Sequence, residues 1–223
     1  MPPRHGKSEV VSRLFTSYYL LKKPDEWVGV NSYSADLAYT LSRNARENFS
    51  RAGGQLSGSA TAVKHWETSS GGGLWAAGVG GPITGKGFHL GLIDDPLKNA
   101  EEAESATIRE KQKDWYRSTF YTRAEPGAAI VIIQTRWHED DLSGWLIEEH
   151  KHEGWDILNL PAINDAGEAL WPEQYSVETL DKMTYACGRD IALLPQIETV
   201  RGLEAVPDLL SHASARRAVF GHL

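Results

Sequence analysis

Apolar positions follow two different rhythms along the chain. After Gly6, Val10, Val11, Leu14, Phe15 and Tyr18 recur at the spacing of one helix face, which predicts a helix from Lys7 to about Leu21. Pro24 stops it. Trp27 to Tyr33 reads as a short strand. Ser34 then serves as a plausible N-cap for a second helix reaching about Arg51. Residues Gly53 to Gly73 are polar and rich in Gly and Ser, and their pattern assigns them to no element. Leu74 to Val79 reads as a strand, followed by a glycine-rich loop from Gly80 to Gly87. Phe88 to Ile93 is a buried strand that ends at Asp94-Asp95-Pro96. A charged helix is expected from about Ala100 to Thr119. Ala128 to Gln134 is apolar without alternation, as in a strand covered on both faces. Asp140 to about Lys151 gives another helix and Trp155 to Leu160 another strand. Strands alternating with helices predict an α/β fold: a mostly parallel sheet with helices on both faces.

Composition narrows the class. The chain has 223 residues, room for one α/β core and an appendage at about 150 residues per domain. Its net charge of -7 is a poor match to a protein that coats duplex DNA with its whole surface, although a local basic strip remains open. The single cysteine, Cys187, excludes an internal disulfide framework and a cysteine-rich zinc site. No apolar run reaches the roughly 18 residues of a membrane span, and Met1 to Lys7 contains no apolar signal core. These features suggest a soluble enzyme or motor domain in a reducing cytosol.

Two segments compete as a phosphate-binding loop of the form G-x-x-x-x-G-K-[ST]. That chemistry needs inward backbone N–H groups, a lysine for the phosphates, a hydroxyl for Mg²⁺ and a helix N-terminus behind them. Gly80, Gly85 and Lys86 have the spacing, but Gly87 carries no hydroxyl and a strand follows. Gly6, Lys7 and Ser8 lead directly into a helix, with Met1 where the first glycine belongs. A missing turn glycine matters less than a missing hydroxyl and helix, so Lys7 and Ser8 are favoured. Residues 80–87 then read as a tight connection between strands. Leu90 to Ile93 followed by Asp94-Asp95 supplies the acids that such a site requires: Asp94 for Mg²⁺ and Asp95 to polarise water. An Asp-Asp-Pro turn is the plainer alternative.

The strand at Ile130 to Ile133 ends in Gln134 and Thr135, which would face the γ-phosphate, since ligands sit beyond the carboxyl ends of strands. His138, Glu139 and Asp141 match no helical His-x-x-x-His ligand pair. His150 and His152, two apart, are expected on different helix faces and in solvent. Lys98, Arg109, Lys111 and Lys113 alternate with Glu and read as a solvated helix face rather than a DNA strip.

Taken in order, these segments resemble the ATPase domain of phage terminase large subunits. Met1-Pro2-Pro3-Arg4-His5-Gly6-Lys7-Ser8-Glu9 is similar to the family's deviant Walker A loop, and Ile93-Asp94-Asp95-Pro96 to the end of its Walker B strand. Gly78 to Gly87 resembles its glycine loop, Thr135 to Leu142 its coupling motif, and Leu170-Trp171-Pro172-Glu173 the start of its linker. The resemblance covers about residues 1–185. It implies a P-loop NTPase of the ASCE (RecA-like) type, with the third strand between the Walker A and Walker B strands. It implies His5, Gly6, Lys7, Ser8 and Glu9 around ATP, Ser8 and Asp94 on Mg²⁺, and Asp95 as base. Arg4 becomes a phosphate contact or sensor, and Gln134 and Thr135 become coupling residues. Arg123 and Arg136 are candidates for an arginine finger acting on a neighbouring subunit of a ring. The implied partners are duplex DNA, a portal protein, a small terminase subunit and further copies of the chain, in the cytoplasm of a bacterial host and away from membranes.

Two departures from the family pattern shape the expectations. The chain starts at the loop, so the sheet is expected to lack its N-terminal Walker A strand, as in a truncated gene. After residue 185 no acidic cluster appears, so no nuclease activity is expected. The resulting division is 1–160 for the ATPase domain, 161–185 for a linker and 186–223 for a divergent, disordered tail. The leading function is ATP-driven translocation of duplex DNA into a prohead. The alternatives are a non-catalytic remnant of such a motor, or another P-loop NTPase such as a helicase.

Overall fold

Trp27–Ser32 forms strand β1, and its neighbours set the frame of the molecule. The structure, a computed structural model, describes residues 4–83, 85–158, 160–187 and 198–201. β1 pairs in parallel with β4 (Gly73–Gly78) on one side and β5 (Phe88–Asp94) on the other. β5 pairs in parallel with β6 (Ala124–Ile133). Antiparallel strands extend this parallel centre at both margins. β2 (Leu56–Ala62) and β3 (His65–Thr68) form a hairpin beside β4, while β8 (Glu198–Arg201) lies beside β6 and carries β7 (Asp156–Leu158). The sheet order is β2-β3-β4-β1-β5-β6-β8-β7. The register aligns Ser32 with Asp94 and Asp94 with Ile133. Three parallel strands therefore end at one level, with the acid pair in the middle.

Alternation along the strands feeds two separate cores. Val28, Val30, Leu90, Leu92, Val131 and Ile133 point to one face, against a wide π-helical stretch Glu9–Phe15, helix α1 (Thr16–Lys22) and helix α2 (Ala35–Arg51). Trp75, Phe88, Ile93, Ile130 and Ile132 point to the other. There they meet helix α4 (Ala106–Trp115), the turn Tyr116–Phe120 and helix α5 (Leu142–Glu149). Full burial of each large apolar side chain contributes roughly 1.5–3 kcal/mol. Two strand glycines make room for the aromatics. A Cβ on Gly29 would lie 2.4 Å from the Trp75 ring, and one on Gly91 would lie 2.6 Å from Phe88 and 2.7 Å from Phe120. Ser34 caps α2 by accepting a hydrogen bond from the Leu37 N–H at 3.2 Å, as its sequence position suggests.

Several boundaries differ from the sequence reading, each for a physical reason. The polar stretch from Gly53 to Gly73 holds β2 and β3, whose partners supply the order that their composition conceals. The charged helix breaks at Ser105, which adopts extended backbone between α3 (Ala100–Glu104) and α4. The parallel part of the sheet is confined to its four central strands, because hairpin and tail strands add antiparallel margins. Residues 198–201, in the segment read as a disordered tail, pair with the outer edge of β6: Ile130 with Arg201, Val131 with Val200 and Ile132 with Thr199. The β6 edge, expected to adjoin a missing strand, is therefore covered. Residues 188–197 and 202–223 of that tail lie outside the described residues.

Candidate functional site

Above the carboxyl ends of β1, β5 and β6, the chain from Arg4 to Ser8 turns into the first helical stretch. Gly6 has φ 89°, a conformation that side chains rarely adopt, and Arg4 also sits in the left-handed region with φ 63°. The Gly6 carbonyl accepts a hydrogen bond from the Val10 N–H at 2.9 Å, which starts the helical stretch directly behind the loop. Lys7 is buried, and its Nζ donates to Thr135 Oγ1 at 3.1 Å. The Thr135 N–H in turn donates to Asp95 Oδ1 at 2.9 Å. Loop lysine, β6 exit and second acid thus form one connected path. Arg4, Lys7, Asp95 and Thr135 line a single cleft of about 460 Å³.

Asp94 sits beneath this cleft and is only 1% exposed. Ser8 Oγ donates to its Oδ1 at 3.0 Å, and Ser12 Oγ donates to its Oδ2 at 2.5 Å. Burial, and next the like charge on Asp95, push the Asp94 carboxyl up to about 6; the Ser12 and Ser8 hydroxyls and the Lys7 ammonium work in the opposite direction. Asp95 has φ 46°, and its N–H donates to the Ile133 carbonyl at 2.7 Å. This bend directs consecutive acids to different places, one into the protein and one into the cleft.

The remaining candidates fall around this centre. Gln134 is buried, and its amide faces the Asp141 carboxyl without a hydrogen bond of good geometry. Glu9 pairs with Arg13 one turn further on. His5 is buried and stacks on Tyr175, with ring centroids 4.6 Å apart at 22°, so the segment read as a linker touches the loop. Arg136 is held within its own chain. Its Nε donates to Asp141 Oδ2 at 2.6 Å, and its guanidinium also donates to the carbonyls of His138 at 3.2 Å and Glu139 at 2.8 Å. Asp141 caps α5 by accepting from the Gly144 N–H at 2.9 Å, so Arg136 braces that cap. Arg123 lies in a short 3-10 turn before β6.

Sequence reasoning missed Ser12, although its position four residues after Ser8 puts both hydroxyls on one helix face. It also missed Asn31 and Ser32, which are buried at the end of β1 beside the acids. The solvated basic face is corrected at two positions. Lys113 Nζ donates to Asp140 Oδ1 at 2.6 Å and Arg109 Nε to Asp140 Oδ2 at 3.2 Å, and the two basic side chains are only 6% and 10% exposed. The Lys113 hydrogen bond is the main reason that the Asp140 carboxyl stays below its usual range. Residues 80–87 run from the carboxyl end of β4 to the amino end of β5, so Lys86 lies at the far end of the sheet. There its Nζ meets His65 Nδ1 at 3.0 Å.

The site therefore belongs to an α/β protein in which a Gly-Lys-Ser loop feeding a helix covers paired acids at the end of a parallel strand. The model of the family described as terminase large subunit, T4likevirus-type, N-terminal, matches residues 1–198, and the chain belongs to that family. The match runs past residue 185, where the motif resemblance stops. None of the curated proteins compared matches the chain. Among the described residues no helix is long and apolar enough to cross a membrane.

Proposed function

We propose that this chain is a P-loop NTPase of the ASCE type that hydrolyses ATP as the motor domain of a DNA-packaging terminase. One observation carries the reading: Lys7, Ser8, Asp95 and Thr135 line one cleft although they come from three separate segments, and Asp94 is bonded to Ser8 directly beneath it. The Lys7 ammonium, held by Thr135, suits the β- and γ-phosphates, and Arg4 at the cleft rim suits the γ-phosphate. The Ser8 hydroxyl and the Asp94 carboxylate are an all-oxygen donor pair that fits Mg²⁺. Their 3.0 Å contact supports this reading. An ion held by Ser8 and Asp94 would supply positive charge that offsets the charge on the phosphate oxygens.

Asp95 presents its carboxylate to the cleft and takes the proton of the attacking water. The water oxygen bonds to the γ-phosphorus, the bond to the β-phosphate oxygen breaks, and ADP and phosphate leave. Thr135 touches both Lys7 and Asp95, and Gln134 follows the same strand, so both sit where a change at the γ-phosphate would reach Arg136, Asp141 and α5. The partners in this reading are duplex DNA, a portal protein, a small terminase subunit and further copies of the chain arranged as a ring, in the cytoplasm of a bacterial host.

A second reading, nucleotide binding without turnover, draws on one observation: Asp95 Oδ1 already accepts a hydrogen bond from the Thr135 N–H. Phosphate release by the full chain separates the two. Turnover that rises with long duplex DNA and falls at least about a hundredfold in Asp95→Asn, with ATP affinity retained, supports the motor. ATP binding with no turnover in wild type supports the second reading.

A further inference from the structure

At the carboxyl end of α5, His150, His152 and Glu153 each offer one ligand atom, and all three atoms lie within 4.8 Å of one another. The sequence reading put the two histidines on different helix faces. The structure overturns this because α5 stops at Glu149 and a tighter 3-10 turn, Lys151–Glu153, follows. The turn stacks the two imidazoles, with centroids 5.8 Å apart at 26°. Trp145 meets the His150 ring edge-on at 4.4 Å. His150 Nδ1 lies 3.1 Å from Glu153 Oε1, and these two side chains are 24% and 11% exposed. Two of the three donors are therefore fixed by packing, and His152 is the exposed one. Gly154, with φ 69°, closes the turn. The last carbonyls of α5 add partial negative charge at the same place.

We propose that this turn is a binding site for a divalent transition-metal ion, with zinc the best match. Two imidazoles and one carboxylate form the borderline nitrogen–oxygen donor set that suits zinc, whereas Mg²⁺ prefers oxygen alone. With bonds of about 2.0–2.1 Å, tetrahedral donors stand roughly 3.3 Å apart. His150 Nδ1 and Glu153 Oε1, 3.1 Å apart, already stand near that spacing, and His152 is the exposed member of the set. Three protein ligands leave a fourth position for water. The ion would tie the end of α5 to the turn that leads into β7. This site is separate from the cleft at Lys7 and does not depend on the ATPase reading.

The test uses the full chain without an affinity tag, titrated with Zn²⁺ by calorimetry and with Co²⁺ by its visible absorption. Wild type is expected to bind one ion with a dissociation constant of about a micromolar, weakening at least about tenfold in His152→Ala and in Glu153→Gln. His152 is exposed, so His152→Ala keeps the fold, which circular dichroism checks. Asp94→Asn controls for ions held at the acid pair and should leave this binding unchanged. Equal affinity in wild type and His152→Ala, binding lost only in Asp94→Asn, or no saturation below about 1 mM would each overturn the proposal.

Discussion

Gly6-Lys7-Ser8 and Gly85-Lys86-Gly87 share a Gly-Lys pair and a glycine of positive φ, 89° in one and 76° in the other. Their surroundings differ completely. The first pair stands at the carboxyl ends of the parallel strands, runs into a helical stretch, and has the Ser8 and Ser12 hydroxyls bonded to Asp94 of the acid pair below it. The second stands at the amino ends, runs into β5, and is packed among Trp27, His65 and Trp75. Burial, and next the charge of Lys64, push the Lys86 amine below its usual range. The comparison teaches that a Gly-Lys pair is only a turn with an amine. The element behind it decides whether the backbone N–H groups and a hydroxyl gather on one side.

The largest test of this contrast is to remove each amine. Lys7→Ala should lower the affinity for a fluorescent ATP analogue with Mg²⁺ by at least about a hundredfold, because a buried charge-assisted contact to phosphate is lost. Lys86→Ala should change it by less than about twofold, since its amine faces His65 at the other end of the sheet. Comparable losses in both variants would erase the distinction between the loops.

A smaller effect should appear in the stability of the nucleotide-free protein, because the carboxyl end stores a buried acid. The folded-state value of about 6 for Asp94 lies above its ordinary 3.8, so the folded chain holds that proton more tightly than the unfolded chain. The resulting stabilisation is fully present below pH 3.8 and is lost as pH rises through about 6. Urea midpoints of wild type, measured relative to Asp94→Asn, should fall between those limits and level off above them. A flat difference across that window would show that Asp94 is not desolvated as its burial indicates.

The parts of this site that could be read from sequence are local ones. Gly6-Lys7-Ser8, the acids after Leu90–Ile93 and the apolar run at 128–134 each carry their meaning within a few residues, and the fold places them as their spacing suggests. What escaped depends on partners far along the chain. Arg109 and Lys113 look solvated beside their own glutamates, yet Asp140 draws both into the protein. β2 alternates weakly because it is a margin strand with little to bury, and its pairing with β3 orders it. His5 meets Tyr175, and β8 covers β6, through contacts that no periodicity encodes. The stacked histidines escaped for a different reason: a change from α to 3-10 geometry at one residue redirects every side chain after it.

The smallest prediction isolates the backbone itself. A Cβ at Gly6 or at Gly85 would meet nothing within 4 Å, so replacing either by alanine introduces strain without a clash. Each of Gly6→Ala and Gly85→Ala should therefore cost about 1–2 kcal/mol, the penalty of a left-handed side-chain residue. Thermal unfolding without nucleotide should place the two variants close together. Their responses to ATP and Mg²⁺ should separate. Gly85→Ala should gain the same rise in melting temperature as wild type, because its strain lies away from the ligand. Gly6→Ala should gain less, because relief of its strain turns the loop N–H groups away from the phosphates. Equal ligand-induced shifts in the two variants would mean that the Gly6 turn only joins residues, as the Gly85 turn does.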